Sequence, residues 1–537
     1  MTTTGNPPSQ QIGASRETAS LVSRIADRLQ SLDNRTIFVL VIVASTFAFL
    51  PYRFWKQPSI VDRANWDYFA QVIARGGIPY VDVVNIKAPL SAYIGALAIL
   101  AGKLVGLRDI FAIRLVYLAL ADLVVAFTFV VALDYFKSRR IAVLAAAIMM
   151  AVDLFGDANC GGVQPKTPMI LFGLMTLWSL RRDRPFLAGL YGMLSALSWQ
   201  PGLLFAGVAA LSFSHYLTRW RDLKALKVIA GAALPLAIFI GYFWIEGALR
   251  ELYWWNIDYN LTIDAPRGLR TVEGIVDRFD RLMRTPYRRE RIYFLASVFG
   301  LLVVGWSQLR EAFRSGTRRL LDAAPDHSII LAALIYFAFC TINIQGGVDL
   351  IPLLPFVSMF AAVAIISLVG LIANLANRAR LKVPQFAVQQ FGFAIALALV
   401  IVFSIGDVIW LRVWFPTLQD QEAEVAQITS LLEPGDQIFV HGLAEILVLS
   451  GRTNADKHFF LDRGKDTYLD KVEPGGFEGW FSRLKSKRPK IVALERLKTL
   501  DHKEEFINWV QTDYEEEKGK IFTYYVRKIN DPPSDHN

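Results

Sequence analysis

Cysteine and histidine are nearly missing from this chain, and charge is scarce. Two cysteines, Cys160 and Cys340, and six histidines occur in 537 residues. Cys160 falls in a loop and Cys340 inside an apolar segment, which argues against a disulfide framework or a thiolate metal site. The histidines show no ligand spacing. Charged residues make up 20% of the chain against 54% hydrophobic, and the mean hydropathy is +0.35. A soluble chain of this length would split into several domains, each with a polar surface. This composition calls for a bilayer instead. Internal repeats and low-complexity tracts are also lacking. Residues 1–35 are polar, with a modest amphipathic stretch at 21–32, and do not read as a cleavable signal peptide. The apolar run comes too late, and no small-residue cleavage site follows it.

What the chain has is apolar runs. They lie at 36–54, 110–136, 141–156, 167–180, 185–200, 202–217, 226–247, 292–309, 328–345, 350–373 and 390–411. Several reach the roughly 17–25 residues a spanning helix needs, while those between 141 and 217 are short. Together they predict about eleven transmembrane helices, the first acting as an uncleaved anchor. One more run, 88–106, decides the topology. If it crosses, the basic clusters near 137, 181, 219, 310 and 380 fall outside. If it lies along the surface, all five fall on the cytoplasmic side, the positive-inside pattern. These loops hold 17 Lys and Arg against Asp183, Asp222 and Glu311, whereas the loops at 156–166, 200–202 and 345–349 carry one basic residue between them. We therefore read 88–106 as juxtamembrane, the N-terminus as cytoplasmic and the C-terminus as outside. The excess of 57 Lys+Arg over 48 Asp+Glu is then an orientation signal in a plasma (inner) membrane protein. No nucleic-acid partner is needed to explain it.

The expected organisation is a cytoplasmic tail (1–35), a transmembrane module (36–411) with large outer loops at 55–109 and 248–291, and an outer tail (412–537). In that last part the pattern changes. A helix closing at 427–432, strands at 437–441 and 490–494, a helix at 501–510 and a strand at 521–526 predict a small α/β domain. The fold class is thus a polytopic α-helical membrane protein with a small C-terminal α/β extracytoplasmic domain.

Carboxylates at membrane depth are costly and mark candidate sites. Asp153, Asp157, Glu246, Asp349 and Asp407 all stand at outer span ends. Singly each reads as solvated, but as a set they suggest a polar cavity opening outward. Asp122 lies midway along its helix, eight residues after Arg114 and on the same face. Hydrogen bonding inside the bundle is its simplest account.

The first outer loop is the densest in chemistry, with Asp62, Trp66, Asp67, Tyr68, Gly76, Gly77, Pro79, Tyr80, Asp82, Lys87, Pro89 and Tyr93. Asp62 precedes a helical spacing of Trp66, Phe69 and Ile73, where it can serve as N-cap. Gly76 and Gly77 stop that helix and Pro79 fixes a turn. Spacing alone leaves a structural and a catalytic reading of these acids and of Lys87 both open.

This stretch resembles the first external loop of the GT-C glycosyltransferases that use polyprenyl-phosphate sugars, the protein O-mannosyltransferase and aminoarabinose transferase (ArnT-like) group. Asp62 with Trp66 four residues on, Gly77, the Pro79, Tyr80 and Asp82 turn, Lys87 with Pro89, and Tyr93 carry the resemblance. Arg114 matches the family's arginine at the start of the next span, and Asp67 falls out of register. The stretches 246–255, 435–440 and 449–452 also have the family's look. One departure stands out. The second outer loop of the family offers an acid just before its span, and 161–168 has none; either Asp157 takes over, or the donor or acceptor differs.

The resemblance implies an inverting transfer of a sugar from a polyprenyl-phosphate donor to a lipid, glycan or protein acceptor at the outer face. Asp62 would be the catalytic base, with Lys87 and Arg114 on the donor phosphate. Asp82, Asp157 and Tyr93 are candidates to orient substrate. Trp254 and Trp255, with Tyr259, either stack on a sugar or form an interfacial aromatic belt. No metal site is assigned, although a divalent cation among Asp62, Asp82 and Asp157 stays open. Two rival classes remain. A lipid-linked sugar flippase or transporter would place binding groups near the midplane, within internal repeats. An oligosaccharide polymerase or ligase would carry essential basic and histidine residues in a large mid-chain loop, and 248–291 is Arg-rich but His-free.

Overall fold

A computed structural model describes residues 32–213, 223–264, 271–315, 324–342, 344, 346–379, 384–409 and 416–528. Most of the amphipathic stretch at 21–32, Arg267 and Arg270, parts of the basic loops near 219, 316 and 381, and the side chain of Asp407 lie outside the described residues.

The apolar runs form helices. In chain order these are α1 (Asn34–Phe49), α2 (Val61–Ala74), α3 (Leu90–Leu104), α4 (Asp109–Phe136), α5 (Arg139–Met150), α6 (Asp153–Cys160) and α7 (Lys166–Arg181). There follow α8 (Pro185–Ser198), α9 (Leu203–Phe213), α10 (Lys224–Ile245), α11 (Val272–Arg284), α12 (Arg291–Ser315), α13 (Ala324–Ile342), α14 (Leu354–Arg378) and α15 (Gln385–Ile409). Seven helices among the described residues are long and apolar enough to cross a membrane. The pair α5 and α6, bent by 60° at its break, makes an eighth if its halves form one span.

The expected count of about eleven is not confirmed among the described residues. Helices α7 and α8 have 16 and 14 residues, and at 1.5 Å per residue they fall short of a bilayer core of about 30 Å. Helix α9 is described only as far as Phe213. The three pack on one another and on α10 and α13. Helix α3 has 15 residues, about 22 Å at the same rise. It packs on α2 and α4 and leaves Leu97 and Leu104 exposed.

Asp122, the deep carboxylate, accepts hydrogen bonds from Ser45 Oγ and Thr46 Oγ1 of α1, both at 2.6 Å. Its role is bundle-internal, as expected. Arg114, two turns earlier, donates to the Phe54 and Gln57 carbonyls just beyond α1.

The tail begins with α16 (Leu418–Ser430) and holds a four-stranded sheet of β1 (Ile438–His441), β2 (Ile491–Leu494), β3 (Tyr514–Lys518) and β4 (Thr523–Arg527), in the order β1-β2-β4-β3. Strands β1 and β2 are parallel, with Ile438 opposite Ile491, and the other pairings are antiparallel. Helices α17 (Ala444–Ser450), α18 (Lys465–Val472) and α19 (Gly476–Ser486) make the β1–β2 crossover, and α20 (Lys503–Asp513) precedes β3. Both parallel strands are wholly buried, in keeping with their apolar runs Ile438–Val440 and Ile491–Leu494.

Tail and first outer loop fold together. Ala64, Phe69 and Ala70 of α2 share one core with Ile428, Val440, Ile446 and Leu447 of the tail. The Asn454 N–H donates to Tyr68 Oη at 2.9 Å, Gln71 Nε2 to the Val448 carbonyl at 3.2 Å, and the Val84 N–H to the Lys457 carbonyl at 3.1 Å. The tail thus forms a roof over α2 and the loop that follows it.

Candidate active site

Helix α2 builds the site from two of its faces. Its N-cap is Ile60, so Asp62 stands inside the first turn, exposed, rather than capping the helix. A carboxylate there is favoured by the helix dipole. The helix ends at Ala74, followed by Gly76 at φ +91°.

A second face of α2 holds the loop that precedes α7. Arg63 Nη2 pairs with Asp157 at 2.6 Å, and Gln57 Nε2 donates to the same carboxylate at 3.0 Å. Asp67, fully buried, accepts from the Val163 N–H at 2.8 Å and has Arg114 and Arg63 as charged neighbours. Burial pushes its carboxyl up to about 6, against the pull of these partners. The loop lies so close that a Cβ on Gly161 would meet Arg63 Nη1 at 2.0 Å, and one on Gly162 would meet Asp67 Oδ2 at 2.6 Å. A side chain at either position would have to displace Arg63 or Asp67, and φ +150° at Gly162 favours glycine in addition. This contact delivers Lys166, the first residue of α7, to the site.

Lys87 is positioned by its backbone. Tyr80 adopts φ +70°, a strained conformation for a bulky side chain, and is fully buried. Its hydroxyl donates to the Lys87 carbonyl at 2.8 Å and accepts from Asn256 Nδ2 at 2.7 Å. The neighbouring Ile86 carbonyl accepts from Gln200 Nε2 at 2.9 Å and Asn260 Nδ2 at 2.6 Å. Asn256 and Asn260 come from two π-helical turns, Tyr253–Asp258 and Asn260–Asp264, of the kind that recur at functional sites.

The Lys87 side chain is half-buried, and its Nζ lies 5.6 Å from the Trp199 ring centroid. Lys166 Nζ approaches the same ring at 4.8 Å. Burial, then the adjacent Lys166 charge, lower the Lys87 ammonium to about 8, while Asp62 and Asp349 act in the opposite sense. Arg463 of the tail also bears on Lys87, held by an ion pair to Asp264 at 2.7 Å. From the same roof comes Glu445 of α17, whose helix packs on α2. It is buried, and its Oε2 has no hydrogen-bond partner among the described residues. Burial raises its carboxyl to about 8, and the Glu495 and Asp62 charges add to the rise.

The Asp62 charge thus bears on Lys87. Other expected residues have partners of their own. Arg114 is fully buried and spends Nη1 on the two carbonyls named above. Asp157 is engaged by Arg63 and Gln57, and exposed Asp82 caps its own turn by accepting from the Ile78 N–H at 2.6 Å. Tyr93 packs edge-on to Tyr242, their centroids 5.9 Å apart. Trp255 is buried against His458 and Tyr468 of the tail, with Tyr259 beside it. Half-buried Trp254 has Arg250 4.7 Å from its ring centroid.

Asp62, Asp82 and Asp157 are not gathered as metal ligands. Among the described residues, the one such group of donor atoms is Glu478, His502 and Glu505, at the tail surface. Lys166, Trp199, Arg463 and Glu445 escaped sequence reasoning. Lys166 alone had a signal, as the single base in the short loops at 156–166, 200–202 and 345–349.

No protein-family profile and no curated relative matches this chain. Solved structures do. The crystal structure of ArnT from Cupriavidus metallidurans bound to undecaprenyl phosphate superposes with a TM-score of 0.54 at 14% identity, covering 92% of this chain and 98% of that one. Its apo state gives 0.54 at 15% identity, over 91% and 97%. The archaeal oligosaccharyltransferase AglB from Archaeoglobus fulgidus, in complex with an inhibitory peptide and a dolichol-phosphate, gives 0.50 at 11% identity, over 94% and 76%. These neighbours are members of the GT-C superfamily. Over more than nine-tenths of its length, this chain has the GT-C fold.

Proposed function

We propose that this chain is an integral-membrane glycosyltransferase that moves a sugar from a polyprenyl-phosphate donor to an acceptor hydroxyl at the outer face, with inversion. The observation that carries the reading is half-buried Lys87, left without an ion-pair partner and under the influence of the exposed Asp62 charge, on a fold whose neighbours hold undecaprenyl phosphate and dolichol-phosphate. Among the described residues, Lys87 Nζ has no carboxylate at ion-pair distance. A cation left uncompensated in a partly dry site suits an anion.

In the proposed step Asp62 accepts the proton of the acceptor hydroxyl. The hydroxyl oxygen bonds to the anomeric carbon from the face opposite the phosphate. The bond from that carbon to the phosphate oxygen breaks, and its electron pair leaves with the phosphate. Lys87 stabilises that growing charge. The products are an inverted glycoside and polyprenyl phosphate. The distribution of basic loops supports a cytoplasmic N-terminus and a site at the outer face. A transport reading has less support, because the deep carboxylate Asp122 is satisfied by Ser45 and Thr46.

The test is release of polyprenyl phosphate by the purified chain in nanodiscs, supplied with lipids and acceptors from its own membranes. Asp62→Asn is expected to lower release by about a hundredfold or more, with folding intact. Full activity in that variant overturns the assignment.

A further inference from the structure

Lys166 stands where the resemblance leads one to expect a carboxylate, and its side chain is buried beside the Trp199 ring. It is 5% exposed. The Gly161 and Gly162 approach to Arg63 and Asp67 fixes the loop before it, so its ammonium is placed by backbone packing. Its one ion-pair partner among the described residues is Asp349 Oδ1, at 3.4 Å. That is long for a charge-assisted contact, where about 2.8 Å is usual. The Trp199 ring face supplies the rest, for this ammonium and for that of Lys87 together. Two ammonium groups over one indole therefore share a single carboxylate at pairing distance. Buried charge held this loosely is costly unless a ligand completes it.

We propose that Lys166 is a second ligand of the donor phosphate, so that Lys87 and Lys166 clamp it from two different outer loops. The inference rests on the polyprenyl-phosphate reading above and deepens it. The chemistry favours two cations over one. The donor is a phosphodiester with a single negative charge, and the leaving polyprenyl phosphate gains more as the sugar bond breaks. A second fixed ammonium is worth most at that moment. Asp349 holds Lys166 in place at long range until the phosphate arrives.

The experiment measures binding of undecaprenyl phosphate and of undecaprenol to the full chain in phosphatidylcholine nanodiscs, in the presence of EDTA. Wild type is expected to prefer the phosphate. Lys166→Gln is expected to bind it about tenfold more weakly or worse, the loss expected for one charged hydrogen bond. Lys166→Arg restores most of the affinity, and Asp349→Asn, which frees the ammonium, keeps it. Unchanged binding by Lys166→Gln overturns the clamp. So does an equal loss in Asp349→Asn, since the role of Lys166 would then be the ion pair itself. If wild type binds alcohol and phosphate alike, the donor reading fails and the clamp falls with it.

Discussion

Lys87 and Lys166 bring their ammonium groups to the same indole, 5.6 and 4.8 Å from the centroid of Trp199. Their proximity and the burial of Lys87 lower its ammonium to about 8. The charged form therefore dominates below pH 8 and is lost above it. Affinity for undecaprenyl phosphate should hold from pH 6 to 7.5 and decline between pH 8 and 9. Titration of binding against pH checks this. Lys87→Arg, which keeps its charge at any working pH, should flatten the decline.

Asp62 and Asp67 differ by one turn and a half of helix, and the structure gives them different work. Asp67 is buried against the Val163 N–H, with Arg63 and Arg114 as neighbours. Asp67→Ala strands those groups and should cost roughly 3 kcal/mol of stability. Asp62→Asn should leave the melting temperature unchanged. Thermal unfolding of the two variants in detergent separates them.

Tyr80 links the strained turn to Lys87 through a single hydroxyl. Tyr80→Phe keeps the ring packed against Phe69 and Phe243 but removes the bonds to the Lys87 carbonyl and Asn256. Each net hydrogen bond is worth about 1 kcal/mol. Donor affinity should fall about fivefold to thirtyfold, with the chain still folded, as a binding isotherm would record.

Glu445 makes the roof sensitive to pH. Its folded carboxyl is raised from an ordinary 4.5 to about 8, so the folded state holds its proton more tightly than the unfolded chain. The stability this contributes is full below about pH 4.5 and is lost as pH rises through about 8. Wild type should therefore lose thermal stability between pH 6 and 9 faster than Glu445→Gln, which cannot ionise. Melting curves across that range decide it.

Much of the fold is legible in single elements. The apolar runs at β1 and β2, closed at β1 by His441, and the helical spacing of Trp66, Phe69 and Ile73 closed by Gly76, announce themselves by pattern. The span count does not, because α7 and α8 are apolar enough but short, and only packing decides how they sit. The site divides the same way. Asp62 and Lys87 share a loop and can be read together. Lys166, Trp199, Glu445 and Arg463 come from four other segments, joined by contacts that no local pattern encodes. Arg114 shows the converse. Its position in the motif is right for a phosphate ligand, yet its guanidinium holds the Phe54 and Gln57 carbonyls.

The most direct test of the central claim is mass spectrometry of lipids and glycans from cells lacking the gene and from the same cells given wild type or Asp62→Asn. The account predicts that a polyprenyl-phosphate sugar accumulates in the deletion while that same sugar disappears from an outer-face lipid, glycan or protein. Wild type should reverse both changes, and Asp62→Asn neither. No change in polyprenyl-phosphate sugars on deletion, or full rescue by Asp62→Asn, would contradict it.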